Sequence, residues 1–340
     1  LTMMFTLVPT AWAEGTEAGT ASVPELENSA TEGTSGGIDW KVEDGLLTIS
    51  AANPSEDEYN AGQMKDYTSQ MGETVTDPTE WYALKDSITE IKIEEGVTYL
   101  GNWAFSGLTK VVKANIPASI TGLGNHIFRG DTALTTVEWA SDFKAPEITD
   151  TDSNSTTYTG NYVPTSMFDG CTSLGSGEEL SAWLPDSFTG VGCAAFRGTQ
   201  FTVDFGVWDN LTYIGAYGFA GMPNLDSFTL SNEITLGLRG NKDKASNAFN
   251  SSGLKSLTVE DEITEIPIGM CDGCEQLSSV DLADSVRTIA MTAFRNTKAL
   301  KEIDLKKVQT INSYAFQGSG LTALVLPESV EKVESRAFEA

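Results

Sequence analysis

A C-x-x-C pair can carry redox chemistry or half of a tetrahedral zinc site, and Cys271-Asp272-Gly273-Cys274 has that spacing. Cys171 and Cys193 complete the 4 cysteines, and His126 is the 1 histidine. A single histidine leaves no room for a cluster of histidine ligands. No G-x-S-x-G elbow, H-E-x-x-H helix or papain-like cysteine context accompanies it. The 48 acidic residues are the other potential chemistry, because two carboxylates flanking a bond hydrolyse glycosides. Nothing in their spacing marks two of them as a buried pair, and no D-x-[DN]-x-[DN]-G loop with a closing glutamate indicates a calcium site. The sequence therefore nominates no catalytic residue, no metal ligand and no cofactor, and the chain reads as no enzyme.

Stepping from single residues to composition, 340 residues with 20% charged and 40% hydrophobic side chains can bury a large core. A net charge of −27 repels phosphate-rich partners, so nucleic acid and anionic lipid are set aside. Residues 1–13, LTMMFTLVPTAWA, end in the small-x-small pattern of Ala11, Trp12 and Ala13 and read as a signal-peptide remnant cleaved after Ala13. They are too short to span a bilayer, and no other run approaches ~20 apolar residues, so no membrane insertion is expected. Residues 14–37 hold five glutamates, no basic residue and almost no large apolar side chain, the composition of a disordered acidic spacer.

A repeat governs the rest. An aromatic anchor recurs at Phe105, Phe128, Phe168, Phe196, Phe219, Phe249, Phe294, Phe316 and Phe338, with Met270 of PIGMCDG filling the one gap. Most intervals are 21–24 residues, and three of 40, 28 and 30 carry insertions, near 140–163, 175–183 and 239–246. Eight residues before the anchor stand Val97, Ile120, Leu211, Val286, Val308 and Val330, and five before it Leu100, Leu123, Ile214, Ile289 and Ile311. Spaced apolar pairs such as Val137 with Trp139, Phe228 with Leu230 and Ile303 with Leu305 have the period of a strand with one buried face. A unit with one such strand cannot bury its apolar face alone, so units must stack into a mainly β solenoid with a parallel ladder rising ~4.8 Å per coil. The insertions should appear as loops.

These residues resemble the BspA-type leucine-rich repeat of bacterial surface proteins. Its apolar strand, proline and S-V-x-x-I-G-x-x-A-F-x-G-C-x-x-L pattern is similar to LTALVLPESVEKVESRAF at 321–338, GVTYLGNWAFSGL at 96–108 and MFDGCTSL at 167–174. The resemblance covers residues 86–340 and implies a leucine-rich-repeat superhelix of about ten 22–23-residue coils. Residues 38–85, opening with GIDWKVEDGLLTIS, look like the short β module or cap that precedes such repeats. The chain stops at Phe338-Glu339-Ala340 inside a unit, so a repeat region truncated at its C-terminus is expected.

In that frame the coils of Cys171 and Cys193 lie about four and three steps from Cys271, roughly 14–19 Å away, too far to complete a metal site. Structural thiols are the favoured reading, a 271–274 disulfide the next and metal the last. The family resemblance also makes Cys171 a structural cysteine. His126 lies two residues before Phe128, in a column shared with Trp103, Ser166, Ala194, Tyr217, Asn247, Thr292, Tyr314 and Arg336, whose variety suggests a solvent-facing position. Its aromatics Trp103, Tyr217 and Tyr314 are the candidate binding residues, since aromatics dominate interface hot spots. The outward strand positions Asn115, Glu138, Thr229, Thr258, Asp281, Asp304 and Val325 are too mixed to designate a ligand.

The resemblance implies a secreted or cell-surface bacterial protein that binds macromolecules in adhesion, its partner an extracellular protein or cell-surface ligand. The alternative is a repeat scaffold for a larger surface enzyme whose catalytic domain lies elsewhere. Either way the anchor column must be core: Phe219→Ala or Phe294→Ala is expected to cost about 3–5 kcal/mol in equilibrium unfolding, and an unchanged midpoint would remove the ladder reading.

Overall fold

Alternating polar and apolar side chains give a strand one dry face, and the first such run begins earlier than composition suggests. The computed structural model describes residues 30–53, 59–68, 77–151, 157–238 and 246–340. The signal-peptide remnant and most of the spacer lie outside the described residues. The end of that spacer, however, is a strand: β1 (Glu32–Ser35) pairs antiparallel with β2 (Ile38–Glu43), which pairs antiparallel with β3 (Leu46–Ala51). Glycine and serine, read as spacer composition, serve close packing here. A Cβ on Gly33 would lie 2.9 Å from the Trp40 indole nitrogen. Ser35, 3% exposed, donates to Glu80 at 2.8 Å and shares a 2.9 Å hydrogen bond with the Tyr67 hydroxyl.

From β3 onward the strands of the repeat units pair in parallel. β4 (Glu90–Ile93) joins β3 in register, followed by Lys113–Ile116 and Thr136–Trp139 in one six-stranded sheet. Farther along, Ser227–Leu230, Ser256–Val259 and Ser279–Asp281 form a second parallel sheet. Two-residue strands make a separate row: Tyr99–Leu100 with Gly122–Leu123, then Tyr162–Val163 to Thr235–Leu236, then Glu265–Ile266 to Lys332–Val333. Among the described residues each of the ten units thus contributes a short strand and a turn carrying the anchor, and six of them add a longer strand before these. The chain is mostly β with almost no helix.

The turn sets the repeat. Amide groups there alternate between acceptors inside the unit and acceptors in the next one. Trp103, Phe105 and Gly107 donate to the Asn125, Ile127 and Arg129 carbonyls of the following unit, each at 2.9 Å, whereas Ala104 and Ser106 donate backwards to Gly101 and Trp103. The backbone reverses its amide direction this way by placing the residue two before the anchor in the left-handed region, with φ from 47° at Asn247 to 62° at His126 and Tyr314. Ten units use that conformation among the described residues, nine through non-glycine residues and one through Gly269 at φ 65°.

This ladder corrects one anchor. Phe249 donates to the Met270 carbonyl, and Cys271 donates to the Ala293 carbonyl, as every anchor does to the residue before the next anchor. Met270 therefore stands in the alanine column beside Ala248 and Ala293, and Cys271 stands in the aromatic column. Gly269 at the left-handed position and Ile266 paired with Ile289 fix the same register. The aromatic rings stack at centroid distances of 5.4 Å for Phe105–Phe128, 5.7 Å for Phe128–Phe168, 5.5 Å for Phe168–Phe196, 6.5 Å for Phe196–Phe219 and 6.0 Å for Phe219–Phe249. The stack resumes at Phe294–Phe316, 5.4 Å, and Phe316–Phe338, 5.3 Å. The N-terminal module supplies its first ring: Trp81, fully buried, lies 6.0 Å from Phe105 and donates to the Ala104 carbonyl at 3.2 Å. At the other end Phe338 is 37% exposed.

Two insertions form ordered elements where loops were expected. Ile148–Thr151 and Thr157–Gly160 make an antiparallel hairpin, and α1 (Leu180–Trp183) is a single turn capped by the Glu179 carboxylate, which accepts from Ala182 N at 2.8 Å. The hairpin is tied down by Asp150, which accepts from Thr165 Oγ1 at 3.0 Å, Tyr213 Oη at 2.8 Å and Cys193 N at 3.2 Å. Trp183 of α1 packs 4.8 Å from Phe201 and 5.6 Å from Phe168. Apolar and aromatic residues in both insertions made this possible. The third insertion, near 239–246, lies almost wholly outside the described residues.

Three residues after the anchor runs a second buried column, containing Leu108, Asp131, Cys171, Thr199, Met222, Ser252, Cys274 and Thr297. Threonine and cysteine satisfy themselves against backbone carbonyls, as Thr297 does with Phe294 at 2.7 Å and Cys171 with Phe128 at 3.0 Å. Asp131 accepts from Leu108 N at 2.8 Å through Oδ1, while its buried Oδ2 has no partner among the described residues. Burial pushes this carboxyl well above the usual range, against the pull of the Leu108 and Gly107 amides. A carboxyl with a raised folded-state pKa favours the native state in acid, and that contribution is lost as pH rises above ~4 towards the folded pKa. Asp131→Asn should flatten this slope, so that urea unfolding shows the variant gaining on the parent between pH 4 and pH 8; parallel profiles would contradict the assignment. Thr292, a β-branched residue at φ 56°, carries the steric cost of its left-handed backbone. Thr292→Asn should stabilise by about 1 kcal/mol in the same measurement.

Candidate binding surfaces

Two surfaces present side chains in repeating order: the ridge of left-handed turns and the outer face of the long strands. On the ridge, the aromatic candidates Trp103, Tyr217 and Tyr314 all occupy the left-handed position, at φ 60°, 60° and 62°. The column is not the plainly solvent-facing one its variety suggested. Ser166, Ala194 and Asn247 are buried, and Trp103, His126, Tyr217 and Tyr314 are half-buried. The tolerance for different side chains reflects a backbone requirement shared by all of them, and each side chain then packs along the ridge. Trp103 stacks on His126 at 4.0 Å, with the Arg129 guanidinium 5.4 Å from its ring. Tyr217 packs on Cys193, Ala194 and Ala216, and Arg336 lies 5.8 Å from the Tyr314 ring. Four units separate Trp103 from Tyr217 and four more separate Tyr217 from Tyr314, about 19 Å in each case. The three residues share an edge and do not converge on one site.

The outer strand face falls into two stretches, one on each parallel sheet. Cross-strand rows place Thr48 beside Lys92 and Asn115 beside Glu138. Farther on, Thr229 lies beside Thr258, and Ser256 beside Ser279. Glu138, Thr229, Thr258, Asp281, Asp304 and Val325 are exposed, and Asn115 is half-buried because its amide bridges Ile93 N and O, both at 2.8 Å. Open depressions follow this side of the molecule. One runs across Lys92, Asn115 and Glu138, another across Ser279, Asp304 and Val325, and a third across Glu260, Asp281 and Asp284. Each spans at least three successive units. Sequence reading located the outward positions but missed these depressions, which are built from several units at once and leave no local signal.

Electrostatics on both surfaces is organised between units. Lys113 pairs with Glu138, Lys306 with Asp281 and Lys307 with Asp284, each at 2.8 Å. One step past the anchor, Asp169 is held by Arg129 at 3.0 Å and by two bonds of 2.7 Å from Arg197; Arg295 grips Asp272 in the same two-point way. Those carboxylates push the Arg197 and Arg295 guanidinium pKa values further up. The exposed lysine pairs contribute little each, whereas Asp169 and Asp272 are themselves buried; together the pairs consume basic side chains and leave the remaining surface acidic.

The chemistry-bearing residues are dispersed. Cys171, Cys271 and Cys274 are buried in the core columns, and Cys193 lies under the ridge. Burial pushes the Cys171 thiol up, and the nearby Asp131 carboxyl adds to that shift. Among the described residues no three His, Cys, Asp or Glu side chains converge as metal ligands, and no helix is long and apolar enough to cross a membrane.

Comparison with known proteins follows the repeat. The sequence pattern described as the BspA type leucine rich repeat region matches in six copies over residues 78–176, 161–237 and 243–340. Among solved structures, a leucine-rich repeat protein from Bacteroides ovatus is similar at 17% identity and a TM-score of 0.50, over 89% of this chain and 90% of that one. A leucine-rich repeat protein from Eubacterium ventriosum matches at 19% identity and a TM-score of 0.46, over 90% and 93% of the two chains. The pneumococcal vaccine antigen PcpA matches at 16% identity and a TM-score of 0.46, over 91% and 86%. At such identities the likeness concerns the fold. No curated protein matches this sequence. With its repeat pattern matched over more than half of its length, the chain belongs to the BspA type leucine-rich repeat family.

Proposed function

We propose that the chain is a non-catalytic binding module of a secreted or surface-displayed bacterial protein, whose units form one superhelix of about ten coils and engage an extracellular protein or cell-surface ligand. The observation that carries this reading is the strand face. Its depressions cross at least three units each, and the one across Ser279, Asp304 and Val325 is lined by exposed side chains such as Ser279 and Val325. A macromolecule spreading over many units gains area that a shallow surface denies to a small molecule. The acidic surface favours a partner with basic or neutral patches and disfavours nucleic acid.

The test is a binding screen of the immobilised protein against matrix proteins, mucin, polysaccharides and bacterial cells at physiological salt. Saturable binding is expected, and Ser279→Arg with Val325→Arg, both in one depression, should weaken it about tenfold, or ~1.4 kcal/mol, without moving the unfolding midpoint. Loss of binding only in the triple alanine variant of Trp103, Tyr217 and Tyr314 would transfer the site to the ridge. No saturable ligand in any class would favour a scaffold role instead.

A further inference from the structure

The aromatic column is interrupted at one unit, and that unit has a cysteine both at the anchor, Cys271, and three residues later, Cys274. The coincidence is specific to it. Cys171 also stands three after its anchor, but that anchor is Phe168, and Cys193 lies three before Phe196. The four residues Cys271-Asp272-Gly273-Cys274 form a closed turn, with Cys274 N donating to Cys271 O at 3.1 Å and Gly273 at φ 77°. A turn closed in this way holds its end Cα atoms less than about 7 Å apart, inside the range a disulfide spans. Both side chains are fully buried in the same core, and the two thiols are near enough to bias each other's ionisation, Cys271 upward and Cys274 downward.

We propose that Cys271 and Cys274 are joined by a disulfide in the mature protein, closing the unit that lacks an aromatic anchor. The bond requires little rearrangement of the hydrogen-bond network. Cys274 Sγ contacts the Phe249 carbonyl at 3.0 Å, but that carbonyl also accepts from Ser252 N at 3.0 Å, so loss of the thiol hydrogen leaves no backbone acceptor empty. Because only two residues lie between the cysteines, the link can form before the turn is buried. The Cys274 thiolate attacks a disulfide oxidant such as oxidised glutathione, giving a mixed disulfide and releasing one glutathione thiolate. The Cys271 thiolate then attacks the Cys274 sulfur and expels the second. In sum, two protein thiols and one oxidised glutathione become one protein disulfide and two reduced glutathiones. Burial afterwards shields the bond from reductant.

The full chain, refolded with oxidised glutathione and freed of small thiols, is unfolded in guanidinium and alkylated with and without prior reduction. Two alkylated cysteines without reductant, four after reduction, and a peptide linking 271 to 274 that is two hydrogens lighter than its dithiol form are expected. Four alkylated cysteines without reductant would overturn the proposal, as would a bridge that uses Cys171 or Cys193. In the linked case, reduction should lower the thermal midpoint of the parent and leave a Cys271→Ala variant unmoved; equal shifts in both would count against a structural link at this unit.

Discussion

An amide that leaves its own unit to find an acceptor in the next is the interaction on which the rest of this structure depends. In the anchor turn every second N–H points along the stack, as Phe105 does to Ile127 and Phe294 to Ala315. A buried amide without an acceptor costs roughly 1–3 kcal/mol, so a unit without a neighbour is short of several such bonds at once. The left-handed residue before each anchor is the local cost of turning those amides outward. Stacked rings at 5.3–6.5 Å, the alanine column and the short parallel strands are consequences of the spacing that these bonds impose.

The same spacing explains how so acidic a chain can order its charges. Carboxylates that meet a basic residue one unit away, as Asp169 meets Arg129 and Arg197, are oriented by the backbone ladder before any charge is considered. Buried polar positions obey a comparable rule. Threonine and cysteine can return their hydrogen to a carbonyl of the turn, whereas Asp131 has one oxygen too many for its place. Two of the insertions are accommodated because they bring their own anchors to the stack: Asp150 to the turn ridge and Trp183 to the aromatic column. What remains outward is a strand face whose depressions cross several units, and the proposed binding role rests there.

Much of this is legible in residue spacing. Phenylalanines at 21–24-residue intervals and apolar residues five and eight positions before them can only be a stack of one-strand units, because no single unit buries its own face. Composition assigns residues 14–37 to a disordered spacer. It was a poor guide where small residues act by close contact, as at Gly33 against Trp40, which puts the first strand inside the expected spacer.

The sequence by itself determined the period, most of the aromatic column, the outward positions and the separation of Cys171 and Cys193 from the unit that holds Cys271 and Cys274. Only the tertiary structure decided that Cys271, and not Met270, completes the aromatic column, because register is set by which carbonyl receives the Phe249 amide. It also decided that Trp103, Tyr217 and Tyr314 share a strained ridge about 19 Å apart without forming one site, and that depressions cross the strand face. Spacing along the chain reports which residues repeat; the left-handed turns and the hydrogen-bond register between units, which have no local sequence signature, determine which of them meet.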